Sequence, residues 1–239
     1  MADGRARIVV RAISVDGDVG VEAVMTLFIA GVSIVTDAQN AERDLDFLRR
    51  MTGVPIELTE RPSLPMLWQN GTAAVLFHEA AGHAAEHRCP SLTWPEWLSV
   101  EDVAAAGTAD LLRGGMPLML RRASFRDVPL RRMTRVVVSQ RDAPFEEPSE
   151  RIEIQVVTEG SFDPLDESVK LRVAVADAVS NGVRRRIAPF ELSTTRSAMA
   201  SALRGATGMP MRYPGVVCSL EGQEVVVGSE APIVITSEL

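Results

Sequence analysis

All three histidines of the chain fall within ten residues, at His78, His83 and His87, and two acids, Glu79 and Glu86, stand among them. The run from Thr72 to His87 is otherwise dominated by alanine and leucine. It reads as a largely buried helix opened by Asn70-Gly71-Thr72. Imidazoles and carboxylates in such a helix are costly to bury without partners. A metal ion is one such partner. Neutral imidazole is a good zinc ligand, and a nearby carboxylate can serve as general base toward an activated water. The plainer alternative is a wet helix face with hydrogen-bonded histidines. It suits one histidine better than a cluster of three.

The spacing restricts which histidines can share an ion. His78 and His83 are five positions apart, and on a regular helix they diverge by about 140°. Both reach one ion only where the helix is locally widened or broken. A π-bulge is the known device, and Gly82 is well placed to permit it. His83 and His87 have regular i, i+4 spacing and need no distortion, so spacing alone favours that pair.

Three ordered segments carry a resemblance. Asn70-Gly71, then Leu76-Phe77-His78-Glu79-Ala80-Ala81-Gly82-His83, then Glu86, resembles the signature of the TldD/PmbA family of metalloproteases, which has a His-Glu-x-x-x-His helix. Arg122-Ala-Ser124-Phe125, with Pro129, Arg132, Met133 and Thr134, is similar to a family segment downstream of that helix. Gly205-Ala206-Thr207, then Cys218 to Gly222-Gln223, Val225, Val227, Gly228 and Pro232, resembles the C-terminal segment. The resemblance implies zinc held by His78, His83 and Cys218, with Glu79 as general base. Three protein ligands leave one position open for water. Apart from the resemblance, Cys218 on its run of valines reads as an ordinary buried cysteine. Cys89 has no counterpart and reads as structural. His87 stands where the family commonly has glycine. It is then a neighbour of the ligands, a substrate contact or an exposed residue.

The resemblance spans residues 66–239. Family chains are longer and carry a separate N-terminal domain, so residues 1–65 are expected to form a shortened N-terminal region of a single 239-residue domain. The implied activity is zinc-dependent hydrolysis of unfolded or modified peptides. One alternative keeps the metal but cleaves or forms a C–N bond in a small-molecule or peptide natural-product pathway. Another is a non-catalytic partner subunit. Pairing as a homodimer, or as a heterodimer with a related subunit, is expected to enclose the cleft and cover sheet edges.

Arg121, Arg122, Arg126, Arg131, Arg132 and Arg135 crowd into fifteen residues. No base-reading motif accompanies them, and the net charge of −7 opposes nucleic acid. They read as a solvated face or an acidic-partner contact, and Arg122 or Arg132 could hold substrate carboxylates or backbone.

The elements that must position these residues are mostly strands. With 46% hydrophobic and 24% charged residues, the composition is that of an ordinary globular protein. No apolar run is long enough to span a membrane, no signal peptide is recognisable, and two cysteines suit a reducing compartment, so a cytoplasmic location is expected. A hairpin is predicted from Arg7–Ile13 and Val19–Ile29 about Asp16-Gly17-Asp18, and a surface helix over 38–51. Ser99-Val100-Glu101-Asp102 reads as a capping box for a second helix ending near Gly114-Gly115. Strands are expected over 134–139, 151–158, 169–179 and 183–191, the last two joined by Ser180-Asn181-Gly182. A short helix over 196–204 and three short strands near Val216–Cys218, Val225–Val227 and Ile233–Ile235 complete the reading. The fold class is α+β, a mostly antiparallel sheet with a buried helix that the resemblance makes zinc-binding.

Overall fold

The computed structural model describes residues 5–16, 19–30 and 61–239, the first two stretches and residues 214–215 by backbone alone. The predicted helix over 38–51 and the turn residues Gly17 and Asp18 lie outside the described residues. Strands β1 (Arg5–Asp16) and β2 (Val19–Ala30) form the expected antiparallel hairpin, with Asp16 opposite Val19.

The rest is built on one ten-stranded sheet. Its strands are β3 (Met66–Trp68), β4 (Leu98–Ala104), β5 (Gly107–Asp110), β8 (Arg135–Gln140), β9 (Arg151–Asp163), β10 (Ser168–Ser180), β11 (Val183–Ile187), β12 (Phe190–Thr195), β13 (Leu203–Leu220) and β14 (Gln223–Thr236). They run in the order β11-β10-β9-β3-β14-β8-β4-β5. Strand β12 shares the outer edge of β10 with β11, and β13 lines the other edge of β14. The pairs β3–β9 and β8–β14 are parallel, and the remaining pairs are antiparallel. Strands β6 (Met119–Arg121) and β7 (Leu130–Arg132) form a separate ribbon. The architecture is α+β and dominated by sheet, as the sequence suggests.

The helix that carries the histidines packs against this sheet. It runs as α1 (Ala73–Phe77), a π-helical turn (His78–His83) and α2 (Ala84–Glu86). Asn70 and Gly71 enter it at φ of 54° and 77°; a Cβ on Gly71 would run into the Met211 carbonyl. Small residues let the helix axis sit close to the strands. Leu76 and Phe77 are fully buried among Ile152, Ile154, Val136, Val138 and Val234, each such side chain contributing about 1.5–3 kcal/mol. Gly82 permits close contact with Met133. An added Cβ would overlap Met133 Sδ and lie 2.8 Å from its Cε, and Met133 is itself fully buried.

Three sequence expectations change. The predicted second helix over 99–115 is instead the hairpin β4–β5. Leu98, Val100 and Asp102 alternate inward, a two-residue period, and the Asp102 carboxylate accepts from the backbone of Leu118, Thr134 and Arg135 rather than capping a helix. The strand expected over 183–191 is two, β11 and β12, broken before Pro189. The three short C-terminal strands are two long ones. Bulges between Thr207 and Met211 and between Tyr213 and Val216 carry β13 through segments whose Gly208, Pro210, Pro214 and Gly215 read locally as turns. The Asn181-Gly182 turn, with both residues at positive φ, and the short helix α3 (Arg196–Ala202) are as predicted.

Gly82→Ala is expected to lower stability by about 1–3 kcal/mol through overpacking against Met133. That corresponds to a melting temperature lower by roughly 2–4 °C per kcal/mol, read by calorimetry. Adding Met133→Ala is expected to restore part of the loss. An unchanged melting temperature in Gly82→Ala contradicts this packing.

Candidate metal centre

The π-helical turn is the local widening that the five-residue spacing demands. Its i→i+5 hydrogen-bond pattern brings residues five apart onto one face. His78 and His83 accordingly meet, their ring centroids 5.1 Å apart. Strand β13 delivers Cys218 to the same point, its Sγ 3.4 Å from His83 Nε2. A donor atom from each of His78, His83 and Cys218 lies within 4.8 Å of the others, and all three residues are buried. His87 lies past the helix end, exposed, with its ring 6.3 Å from that of Phe162. The regularly spaced pair His83 and His87 is therefore not assembled.

The surroundings prepare these atoms as ligands. His83 Nδ1 is 2.8 Å from Glu86 Oε2, and Glu86 Oε1 accepts from the Met133 amide at 3.0 Å. A proton held on Nδ1 by Glu86 directs the Nε2 lone pair toward Cys218. His78 is fully buried, yet neither ring nitrogen has a hydrogen-bond partner. Burial, aided by His83 and Arg132, holds its pKa well below the usual imidazole value, so it stays neutral. Burial alone would lower His83 too. The hydrogen bonds to Cys218 and Glu86 and the Glu79 charge outweigh it and push His83 up to about 10.

Glu79 adjoins the cluster, its Oε2 3.6 Å from His83 Nε2. Gly160 of β9 makes room for it, since a Cβ there would come 2.5 Å from Glu79 Oε1. Oε2 has no hydrogen-bond partner. Burial pushes the carboxyl up to about 7; His83 opposes the rise and Glu86 adds to it. Arg132 is also buried, and its guanidinium bonds Cys218. Arg122 is exposed in the β6–β7 loop.

The donor set fits a divalent ion. A tetrahedral zinc with bonds of about 2.0 Å to nitrogen and 2.3 Å to sulfur sets those donors about 3.5 Å apart. The spacing between His83 and Cys218 is close to that. Glu79, Glu86 and a Cys218 thiolate oppose the single charge of Arg132, so a dication brings the buried group to neutrality. Neither cysteine is in a disulfide. A separate cavity of about 630 Å³, lined in part by Cys89, Arg131 and Arg196, contains none of the three donors.

Sequence reasoning placed Glu86 in the cluster but not as the partner of His83, although their i, i+3 spacing allowed it. It missed the bond from Arg132 to Cys218 and the niche at Gly160. Those contacts cross 86 and 81 positions of chain, and no local pattern signals them.

Cobalt(II) added to the metal-free protein is expected to bind once per chain with a thiolate-to-metal charge-transfer band that Cys218→Ser abolishes. Persistence of that band in Cys218→Ser contradicts the ligand set. A second expectation concerns metal-free stability. The Glu79 carboxyl titrates at about 7 folded against 4.5 unfolded. Stability from the bound proton is thus full below 4.5 and lost as pH rises through 7. Denaturant titrations should show Glu79→Gln gaining on wild type across that window, and a constant difference contradicts the assignment.

The fold has known relatives among solved structures, whereas no family model and no curated protein matches the sequence. TldE from Thermococcus kodakarensis superposes with a TM-score of 0.59 at 11% identity, covering 98% of this chain and 62% of that one. A candidate modulator of DNA gyrase from Bacteroides thetaiotaomicron gives 0.51 at 10% identity over 98% and 59% of the two chains. Another from Thermotoga maritima gives 0.53 at 12% identity over 95% and 60%. The chain spans less than two thirds of each of these proteins. Its fold is TldD/PmbA-like.

Proposed function

We propose that the protein is a zinc-dependent metallopeptidase acting on unfolded or modified peptides, with His78, His83 and Cys218 holding the ion and Glu79 as general base. The observation that carries this reading is the buried His78, both ring nitrogens unpartnered, facing His83 Nε2 and Cys218 Sγ across a π-helical turn. The TldD/PmbA-like fold supports it, and the substrate class comes from the sequence resemblance.

The chain's own groups divide the work. A bound zinc ion supplies Lewis acidity toward a carbonyl and toward water. The Glu79 carboxylate takes the proton of the attacking water. Its place beside the ligands lets the same carboxylate pass that proton on to the leaving amine. Gly160 leaves that carboxylate room beside the ligands. His83 is held in place through its Nδ1 by Glu86. His87 and Arg122, both exposed, are proposed as substrate contacts. Arg132 is buried and turned toward Cys218, which favours a role inside the site.

The reading includes a paired assembly, with an identical chain or a related subunit. Phe125, Val128 and Leu120 are 77%, 71% and 61% exposed around the β6–β7 ribbon, a concentration of uncovered apolar surface that supports a contact there. No helix among the described residues is long and apolar enough to cross a membrane.

Glu79→Gln is expected to keep the fold and metal content while peptide hydrolysis falls by roughly 10²–10⁴-fold. Unchanged turnover moves the base elsewhere, with Glu86 the next candidate. Light scattering is expected to show a dimer; a fully active monomer at low concentration contradicts the pairing.

A further inference from the structure

The guanidinium of Arg132 is as deeply buried as the candidate metal donors, at 1% exposure. Its hydrogen bonds and ion pair run to the frame of the centre. Nη2 donates to Cys218 Sγ at 2.9 Å and to the Cys218 carbonyl at 2.8 Å. Nη1 donates to the Gln223 carbonyl at 3.2 Å, and Nε lies 3.5 Å from Glu86 Oε1. The other oxygen of Glu86 holds His83 Nδ1. One cation thus ties together two of the three donors, one on β13 and one on the helix.

The position of that cation is itself fixed. Asp102 is fully buried. Its Oδ1 accepts from the amides of Thr134 and Arg135 at 2.7 and 3.1 Å, and its Oδ2 from Leu118 at 3.1 Å. The turn that follows Arg132 is therefore pinned to β4. Arginine suits the position because its planar fork serves several acceptors at once, which a lysine ammonium does less well.

We propose that Arg132 is a positioning residue that aims the Cys218 sulfur at the ion and limits its donor strength; this rests on the metal-centre reading above. A thiolate that accepts a charged N–H bond gives less electron density to a metal. The ion it holds is then a stronger Lewis acid than one held by a bare thiolate. A purely structural cation would leave the metal's electronic properties alone.

The test is the absorption spectrum of the cobalt(II)-loaded protein. In Arg132→Met the thiolate-to-cobalt charge-transfer band is expected at longer wavelength than in wild type, and Arg132→Lys is expected to restore part of the shift. A band left at the wild-type wavelength in Arg132→Met overturns the proposal. Should Arg132→Met fail to fold, Arg132→Gln, which keeps a polar side chain but removes the cation, decides alone: its band is expected at longer wavelength, and a band left at the wild-type wavelength overturns the proposal. A wild-type protein with no such band removes the metal reading and this proposal together, whereas an unmoved variant band removes only the proposal.

Discussion

Two imidazoles five residues apart can converge on one point only if the helix between them is widened, and the rest of the structure is arranged around that requirement. A π-helical turn breaks the regular i→i−4 ladder and is disfavoured in an isolated helix. Tertiary packing must therefore hold it. The buried alanines and Gly82 let the turn lie against the sheet and Met133, where a larger residue would push it away. Strand β13 shifts register at three places along β14 before its regular stretch from Val216 to Leu220 presents Cys218 to the same point. The third donor is thus brought in by sheet topology.

Electrostatics turns this arrangement into a site. Two carboxylates, a thiol, two imidazoles and a guanidinium share one poorly solvated volume. Such a group is stable only if its charges balance and its polar atoms find partners. Glu86 and the terminal nitrogens of Arg132 find partners; neither ring nitrogen of His78 does. The unpartnered imidazole beside a buried cysteine and two buried carboxylates is a donor set suited to a cation. Burial raises the proton affinity of Glu79 in the metal-free protein, and Glu79 lies against the ligand His83 where a general base would act.

Much of this was legible in the sequence where information is local. With the resemblance pointing to His78 and His83, their five-residue spacing required a distorted helix, and Asn181-Gly182 announced its hairpin. What was not legible came from distant parts of the chain. Ser99 to Asp102 imitates a helix cap, yet Asp102 serves three amides of two later loops, and only the folded sheet decides between the two uses. Pro210 and Pro214 look like the ends of strands, yet bulges absorb them. Cys218 is chemically silent among valines until β13 sets it beside His83. Spacing alone favoured His83 with His87; the structure pairs His83 with His78, because the helix ends before His87 can turn inward.

X-ray absorption at the zinc edge of the zinc-loaded protein tests the central claim most directly. Two histidines and one cysteine predict a first shell with one sulfur at about 2.3 Å and nitrogen or oxygen neighbours near 2.0 Å. The sulfur contribution should disappear in Cys218→Ser. A shell of nitrogen and oxygen alone in the wild-type protein would contradict the account.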